Sequence, residues 1–225
     1  MTEEVQYGFY FDNSKCTGCK TCHIACKDRM VGKLRGNDDI QTNGVANLPG
    51  ILWRRVYEYG GGVWSENGNG SYEQDVFAYY VSVGCNHCSS PVCVKACPTG
   101  AMHKRKADGL VLVEESLCIG CGSCSRACPY DAPQMDTERK VMTKCDGCYD
   151  RLAEGKKPVC VEACPLRALD FDTMENLRAK YGDGDAHIAP LPSASITHPN
   201  LLIKAGSKAQ PAGSGSGSVL NEAEV

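Results

Sequence analysis

Apolar positions in this chain come in short runs. Trp53–Tyr59 (WRRVYEY) and Val76–Val83 (VFAYYVSV) are rich in β-branched and aromatic residues and predict strands. Gly60–Gly70 (GGGVWSENGNG) reads as the turn region between them. Leu110–Val113 is a further strand-sized run. Asp108-Gly109 before it signals a tight turn, so residues 99–117 predict a small hairpin. Val31–Gly50 carries little apolar signal and includes GNDD and TNG, which predicts a surface loop. Asp172–Tyr181 predicts a short helix, opened by a capping box of Asp172 and Glu175 and stopped by Gly182. Ala205–Ser218 is rich in Gly, Ser and Pro and predicts an extended or disordered tail, lying on a partner or in solvent. No run approaches the roughly 20 apolar residues of a membrane span.

These pieces are too small to organise 225 residues by apolar burial alone, and the sixteen cysteines change the picture. Cys118–Pro129 reads Cys-x2-Cys-x2-Cys-x3-Cys-Pro, with thiols at Cys118, Cys121, Cys124 and Cys128. This is the run by which bacterial ferredoxins hold cubane iron–sulfur clusters. Three cysteines two residues apart wrap one loop around a compact core. The fourth sits further along and, in two-cluster ferredoxins, ligates the other cluster. Structural zinc sites also use Cys-x2-Cys but close with a second such pair.

The same pattern recurs three more times. The first group is Cys16, Cys19, Cys22 and Cys26; the second is Cys85, Cys88, Cys93 and Cys97. The last is Cys145, Cys148, Cys160 and Cys164. Every group begins Cys-x2-Cys and ends Cys-x3-Cys, and the gap before the third cysteine is two, four, two and eleven residues in turn. An internal repeat of this kind points to tandem ferredoxin-like units. Pro follows the last cysteine of the second, third and fourth groups, whereas Lys27 follows the first. The fold class expected is α+β: short strands and short helices organised by four clusters, with loop insertions. Groups two and three, joined by the hairpin, form an inner two-cluster module over 84–139. Groups one and four pair across it as an outer module, 1–30 plus 140–172. Residues 31–83 are inserted loop and strands, and 173–225 a C-terminal helix and extended tail.

Charge and the remaining residues narrow the chemistry. Net charge is −3, so no global basic field invites nucleic acid. Disulfides suit small secreted domains, and pairwise staples do not explain cysteines in fours; residues 1–16 also lack the basic-then-apolar order of a signal peptide. Basic residues crowd the ligand loops, among them Lys15, Lys20, Lys27, Arg29, Lys104, Lys144, Arg151 and Lys157. As a group they offset negative clusters; singly, each reads as solvated charge. His87 and His103 lie near cysteines, but sixteen thiols already fill four cubanes, so packing or hydrogen bonding is expected of them. Tyr79, Tyr80 and Tyr130 read as core fill. There is no Walker-type loop, no Cys-x3-Cys-x2-Cys radical-enzyme motif and no persuasive nucleophile set, so no catalytic residue is assigned.

Beyond spacing, the stretches QYGFYFDNSKCTGCKTCHIACKD, RRVYEY, DVFAYYVSVGCNHC, CPTGAMHKR, CIGCGSC, ACPYDAPQ, MTKCDGCYDR and CPLRALDF resemble one family. It is that of the iron–sulfur electron-transfer subunits of complex molybdopterin oxidoreductases, in particular those of dimethyl sulfoxide reductase type. The likeness covers most of Gln6 to Phe171, and APLPSASITHPNLLIK resembles the family's C-terminal part. It implies crossed ligation. Cys16, Cys19, Cys22 and Cys164 would hold one cluster, and Cys145, Cys148, Cys160 and Cys26 its neighbour. Cys85, Cys88, Cys93 and Cys128 would hold a third, and Cys118, Cys121, Cys124 and Cys97 the fourth. Related nitrate reductase subunits lack a cysteine matching Cys124 and carry a three-iron cluster, so four [4Fe–4S] clusters are implied here.

The resemblance also implies the partners: a membrane anchor subunit that oxidises quinol, and a molybdopterin catalytic subunit that reduces S-oxides or N-oxides. The chain itself would make no bonds. It would be peripheral to the bacterial cytoplasmic membrane through those partners, on the periplasmic side by co-export with the catalytic subunit, the cytoplasmic face being the alternative. Two other readings compete: a free-standing polyferredoxin between soluble partners, and a zinc-stapled scaffold.

Overall fold

The computed structural model describes residues 5–35, 51–184 and 188–225. Twelve strands are described: β1 (Tyr7–Asp12), β2 (Arg55–Gly61), β3 (Trp64–Glu66), β4 (Tyr72–Gln74), β5 (Phe77–Val83), β6 (Met102–Lys104), β7 (Val111–Val113), β8 (Gln134–Asp136), β9 (Val141–Thr143), β10 (Leu169–Thr173), β11 (Leu201–Lys204) and β12 (Gly217–Val219). The helices are α1 (Thr21–Arg35), α2 (Val92–Lys95), α3 (Ser123–Ala127), α4 (Tyr149–Ala153), α5 (Val159–Glu162) and α6 (Met174–Tyr181). The fold is thus α+β, in small pieces.

Two three-stranded sheets carry the apolar core. β1 is the centre of the first, antiparallel to β10 and parallel to β11. Residues from both ends of the chain therefore meet on one strand. β2 is the centre of the second, between β5 and β12. Phe9, Phe11, Phe171 and Ile203 of the first sheet pack with Val56, Tyr59, Tyr79 and Val81 of the second. The rings of Phe9 and Phe171 meet edge-on at 4.6 Å, a favoured aromatic geometry. Three two-stranded hairpins complete the strands, and the expected turn at Asp108-Gly109 joins β6 to β7, with Gly109 at φ +70°.

Four expectations change in detail. The strand read from Trp53 begins at Arg55, because Trp53 is buried with Ile51 against α1. Within Gly60–Gly70 only 67–71 makes the tight connection, closed by Asn67 N–H to Ser71 O at 3.0 Å; Trp64–Glu66 is a strand paired with β4. The surface loop read from Val31 starts later. α1 runs on to Arg35, since Met30 and Val31 are buried against Ile51 and Trp53; residues 36–50 lie outside the described residues. The helix after β10 is capped by Thr173, whose hydroxyl accepts from Asn176 N–H. Asp172 binds the Asn176 side chain at 3.0 Å instead of capping, and Gly182 ends the helix at φ +78° as expected.

The tail read as extended or disordered is bound to its own chain. Gly217–Val219 pairs with β2, Ala189 N–H donates to Gln210 O at 2.9 Å, and Glu224 pairs with Lys20. Close approach explains the glycines there: a Cβ at Gly61 would stand 2.5 Å from Ser216 O, and one at Gly217 2.7 Å from Gly60 O.

Candidate iron–sulfur centres

Each Cys-x2-Cys loop turns on a residue in the left-handed region: Gly18 (φ +68°), His87 (φ +43°), Gly120 (φ +66°) and Gly147 (φ +69°). Glycine takes that conformation freely, whereas His87 must be held in it. Its carbonyl accepts from Asn200 Nδ2 at 2.8 Å and its ring Nδ1 from Val111 N–H at 3.0 Å. The third thiol of each group sits on a helical turn, on α1, α2, α3 and α5. The fourth follows four residues on, in α1 or just past α2, α3 and α5. Residues four apart share a helix face, so one turn presents a thiol to its own loop and the next thiol to a neighbour.

The resulting neighbourhoods cross between groups. One cavity is lined by Cys16, Cys19 and Cys22 together with Cys164. A second is lined by Cys85, Cys88 and Cys93 with Cys128, and a third by Cys118, Cys121 and Cys124 with Cys97. The remaining four thiols face one another: Cys26 lies within electrostatic reach of Cys145, Cys160 and Cys148. All sixteen cysteines are free thiols. Among the described residues no three His, Cys, Asp or Glu side chains converge on a point as ligands of one metal ion; the thiols surround volumes.

Neighbouring sets adjoin. Cys22 and Cys26 share α1, and Cys145 is within electrostatic reach of Cys85. The second and third cavities are linked twice, through Cys93 with Cys97 and Cys124 with Cys128. The terminal sets reach the surface at Cys19 and Cys121, which are exposed.

Burial decides the thiol acidities. It pushes Cys145 up to about 12 and Cys16 and Cys148 to about 11, and it drives Cys26 well above the ordinary thiol value. Free, these thiols hold their protons, so metal binding must displace them. The surface thiols go the other way: the Thr21 hydroxyl lowers Cys19 and the Ser123 hydroxyl lowers Cys121. Backbone N–H groups also point at sulfur at 3.3 Å, from Met102 to Cys97, Met142 to Cys118 and Ala168 to Cys164. Such bonds favour the thiolate and tune a cluster.

Among the described residues the buried side-chain nitrogens without a protein partner are His23 Nδ1, Arg54 Nε and Nη2, Arg55 Nε, Asn86 Nδ2 and His87 Nε2, and several of them lie at these sites. Asn86 Nδ2 belongs to a residue lining the cavity of Cys85 and Cys128. His87 Nε2 is unpartnered too, and a side chain at Gly147, between Cys145 and Cys148, would come within 3.5 Å of it. Arg54 Nε and Nη2 are the others that matter. Buried donors require acceptors. A cluster, with four thiolates and inorganic sulfide, supplies them, so the residues present fit the group.

The other expected residues fall as follows. His87 is buried and His103 half-buried, its Nδ1 3.2 Å from Ala101 O; neither lines a thiol cavity. Tyr79 and Tyr130 are buried and Tyr80 half-buried, and the Tyr79 hydroxyl donates to Ala189 O at 2.8 Å. Solvated charge was the expectation for each basic residue, and it fails for Lys27, Lys104 and Lys144; half-buried Lys104 donates its Nζ to Cys88 O at 3.0 Å and Gly109 O at 2.8 Å. Lys27 and Lys144 are buried, with Lys27 Nζ donating to Ile51 O at 2.6 Å and Lys144 Nζ to Cys145 O at 2.8 Å. Arg54, 2% exposed, was missed by sequence reasoning. Strand alternation carried no signal for it, because Arg54 precedes β2 and its neighbour Arg55 is buried as well.

Comparison with known proteins agrees with this chemistry. A 4Fe-4S dicluster domain model matches residues 76–174, and a 4Fe-4S binding domain model matches residues 13–32. The chain is 53% identical over 220 residues to the B subunit of the anaerobic dimethyl sulfoxide reductase of Haemophilus influenzae, covering 98% of this chain and 99% of that one. It is 54% identical to the B subunit of the same name in Escherichia coli, over 98% of each. Selenate reductase subunit beta of Thauera selenatis is 30% identical, over 72% of this chain and 64% of its own. No helix among the described residues is long and apolar enough to cross a membrane. Free thiols grouped around cavities, orphaned donors facing them and likeness over nearly the full length agree: this protein belongs to the iron–sulfur B-subunit family of dimethyl sulfoxide reductase, as an electron-transfer subunit that carries [4Fe–4S] clusters and performs no catalysis itself.

Proposed function

We propose that this chain relays electrons through four [4Fe–4S] clusters, from a quinol-oxidising membrane anchor subunit to a molybdopterin catalytic subunit that reduces S-oxides or N-oxides. The observation that carries the reading is the crossed lining of the cavities, three cysteines from one loop and one from another. On this reading Cys16, Cys19, Cys22 and Cys164 hold the first cluster. Cys145, Cys148, Cys160 and Cys26 hold the second. Cys85, Cys88, Cys93 and Cys128 hold the third, and Cys118, Cys121, Cys124 and Cys97 the fourth. The groups are one-electron carriers whose potentials follow charge, hydrogen bonding and exposure.

The chain's own residues fix the carriers close together, bury the middle ones and bring the terminal ones to the surface at Cys19 and Cys121. Surface ends suit docking of two partners, and buried middles keep water and oxidants out. The outer module is 1–30 with 140–172 and the inner 84–139, with 31–83 inserted and 173–225 the C-terminal part. The chain is held peripherally by its partners, on the periplasmic side after co-export, the cytoplasmic face being the alternative. Protease accessibility in sealed spheroplasts distinguishes the two.

Iron, acid-labile sulfide and zinc per polypeptide, measured on anaerobically purified protein, test the cofactors. About sixteen iron and sixteen sulfide are expected, and zinc with little sulfide overturns the reading. Quinol added to the assembled complex is expected to reduce the clusters, and oxidised clusters during continued turnover overturn the relay.

A further inference from the structure

Arg54 is a buried cation between two thiol sets. Its guanidinium has no carboxylate within ion-pair distance among the described residues. Nη1 donates to Ser82 Oγ at 3.2 Å and weakly to Ser82 O at 3.4 Å, and the guanidinium carbon lies over the Phe9 ring, 4.5 Å from its centroid. Nε and Nη2 have no acceptor. The sulfur atoms within electrostatic reach come from both sides: Cys22 of the first set, whose thiol shares the Ser82 hydroxyl with Arg54, and Cys160, Cys145 and Cys26 of the second. Burial works against the charge, and no protein group offsets it at Nε and Nη2. A buried cation with two unmet donors is strongly unfavourable unless something negative completes it.

We propose that Arg54 is a positioning residue shared by the first and second clusters, donating Nε–H and Nη2–H to their sulfur and setting both reduction potentials together. This rests on the cluster reading above. Adding an electron makes a cluster more negative, so a fixed cation and N–H···S bonds stabilise the reduced form and raise the potential. One guanidinium acting on two carriers keeps their potentials in step. Its neighbour Arg55 points both Nη groups at Tyr130 O and Asp131, leaving only Nε without an acceptor.

The experiment is a redox titration followed by EPR on the intact complex, comparing wild type with Arg54→Gln and Arg54→Lys, with iron and sulfide measured on each sample. Arg54→Gln is expected to lower two of the four reduction equilibria at least tenfold, 59 mV each for one electron, and to move the other two less than twofold. Arg54→Lys, which keeps the charge, is expected to recover at least half of that shift. Fully loaded Arg54→Gln with all four potentials within twofold of wild type overturns the inference while leaving the cluster reading intact. Wild type without iron and sulfide overturns that reading instead. If Arg54→Gln does not load, Arg54→Lys decides: potentials close to wild type support the inference, and a tenfold shift with the charge retained overturns it. If neither variant loads, Arg54 is a packing element and the inference falls.

Discussion

At one end of the molecule Cys121 stands in solvent, with the Ser123 hydroxyl 3.5 Å from its sulfur and Arg126 on the same short helix. In the middle, Cys26, Cys145, Cys148 and Cys160 are all buried, and among the described residues no hydroxyl bonds to any of their sulfurs. Two economies of charge follow. At the surface, water and a hydroxyl offset negative charge, and both are replaceable. Inside, water is absent, electrostatic interactions are stronger, and a fixed guanidinium stands in its place. Similar cysteine spacing is therefore no guide to how sensitive a site is to its surroundings.

The largest difference is expected from removing a thiol. Cys26→Ser should cost about four iron per chain and prevent recovery of a soluble complex, because the remaining buried thiols and Arg54 lose their organising group. Cys121→Ser should alter one cluster and leave the melting temperature within about 3 °C of wild type, a shift of under 1 kcal/mol. Equal losses by iron analysis and calorimetry would remove the distinction between end and middle.

Iron release gives a second view. Under a chelator with mild oxidant, the terminal sets should empty first and the buried second set last, seen as separate phases in the loss of visible absorbance. A single phase would show that the sites open together, by global unfolding.

Asp170 sharpens the contrast from another direction, as a buried charge completed entirely by protein. It accepts from Lys157 at 2.6 Å, Lys180 at 2.9 Å and the Tyr181 hydroxyl at 2.7 Å. Burial alone would raise its pKa, but these donors outweigh it and hold the carboxyl well below its usual range. Both lysines are substantially exposed, so Asp170→Asn is expected to cost only about 1 kcal/mol. The folded pKa is depressed, so the stabilisation is complete above the unfolded carboxyl value and fades as pH falls. The melting difference between wild type and Asp170→Asn should stay constant from about pH 7 to 5 and shrink only below about pH 4. A difference that grows in acid would refute the assignment.

The smallest effects belong to the surface hydroxyls. Ser123→Ala and Thr21→Val each remove one hydroxyl from beside an exposed thiol, Thr21 Oγ1 lying 3.4 Å from Cys19 Sγ. Each should lower its own cluster's potential by about 0.5 kcal/mol, roughly twofold. A shift as large as that of Arg54→Gln would mean the ends are no better screened than the middle.

Cysteine spacing made the repeat legible in the sequence, because ligand geometry constrains the chain locally, and Asp108-Gly109 announced its hairpin for the same reason. Long-range contacts were less visible. The tail from Ala205 reads as disordered since Gly, Ser and Pro carry no apolar signal, yet its glycines permit backbone contact with β2. Lys27 and Lys144 look like surface charges, and their burial follows from carbonyl acceptors in distant segments, Ile51 O for Lys27 and Val111 O for Lys144. Arg54 and Arg55 were hidden together: an Arg-Arg pair reads as polarity, yet both are buried, on acceptors supplied by Ser82 and Tyr130 far along the chain.

The first cavity carries a consequence for manufacture. Its lining joins Cys16, Cys19 and Cys22 to Cys164, and β1 receives β11 from further along still. A ribosome making this chain finishes the first three thiols early and must translate most of the remaining sequence before the fourth emerges. On the proposed ligation, loading of that cluster is confined to the end of synthesis or later, and until then the nascent chain needs reducing surroundings or a chaperone over its leading segment.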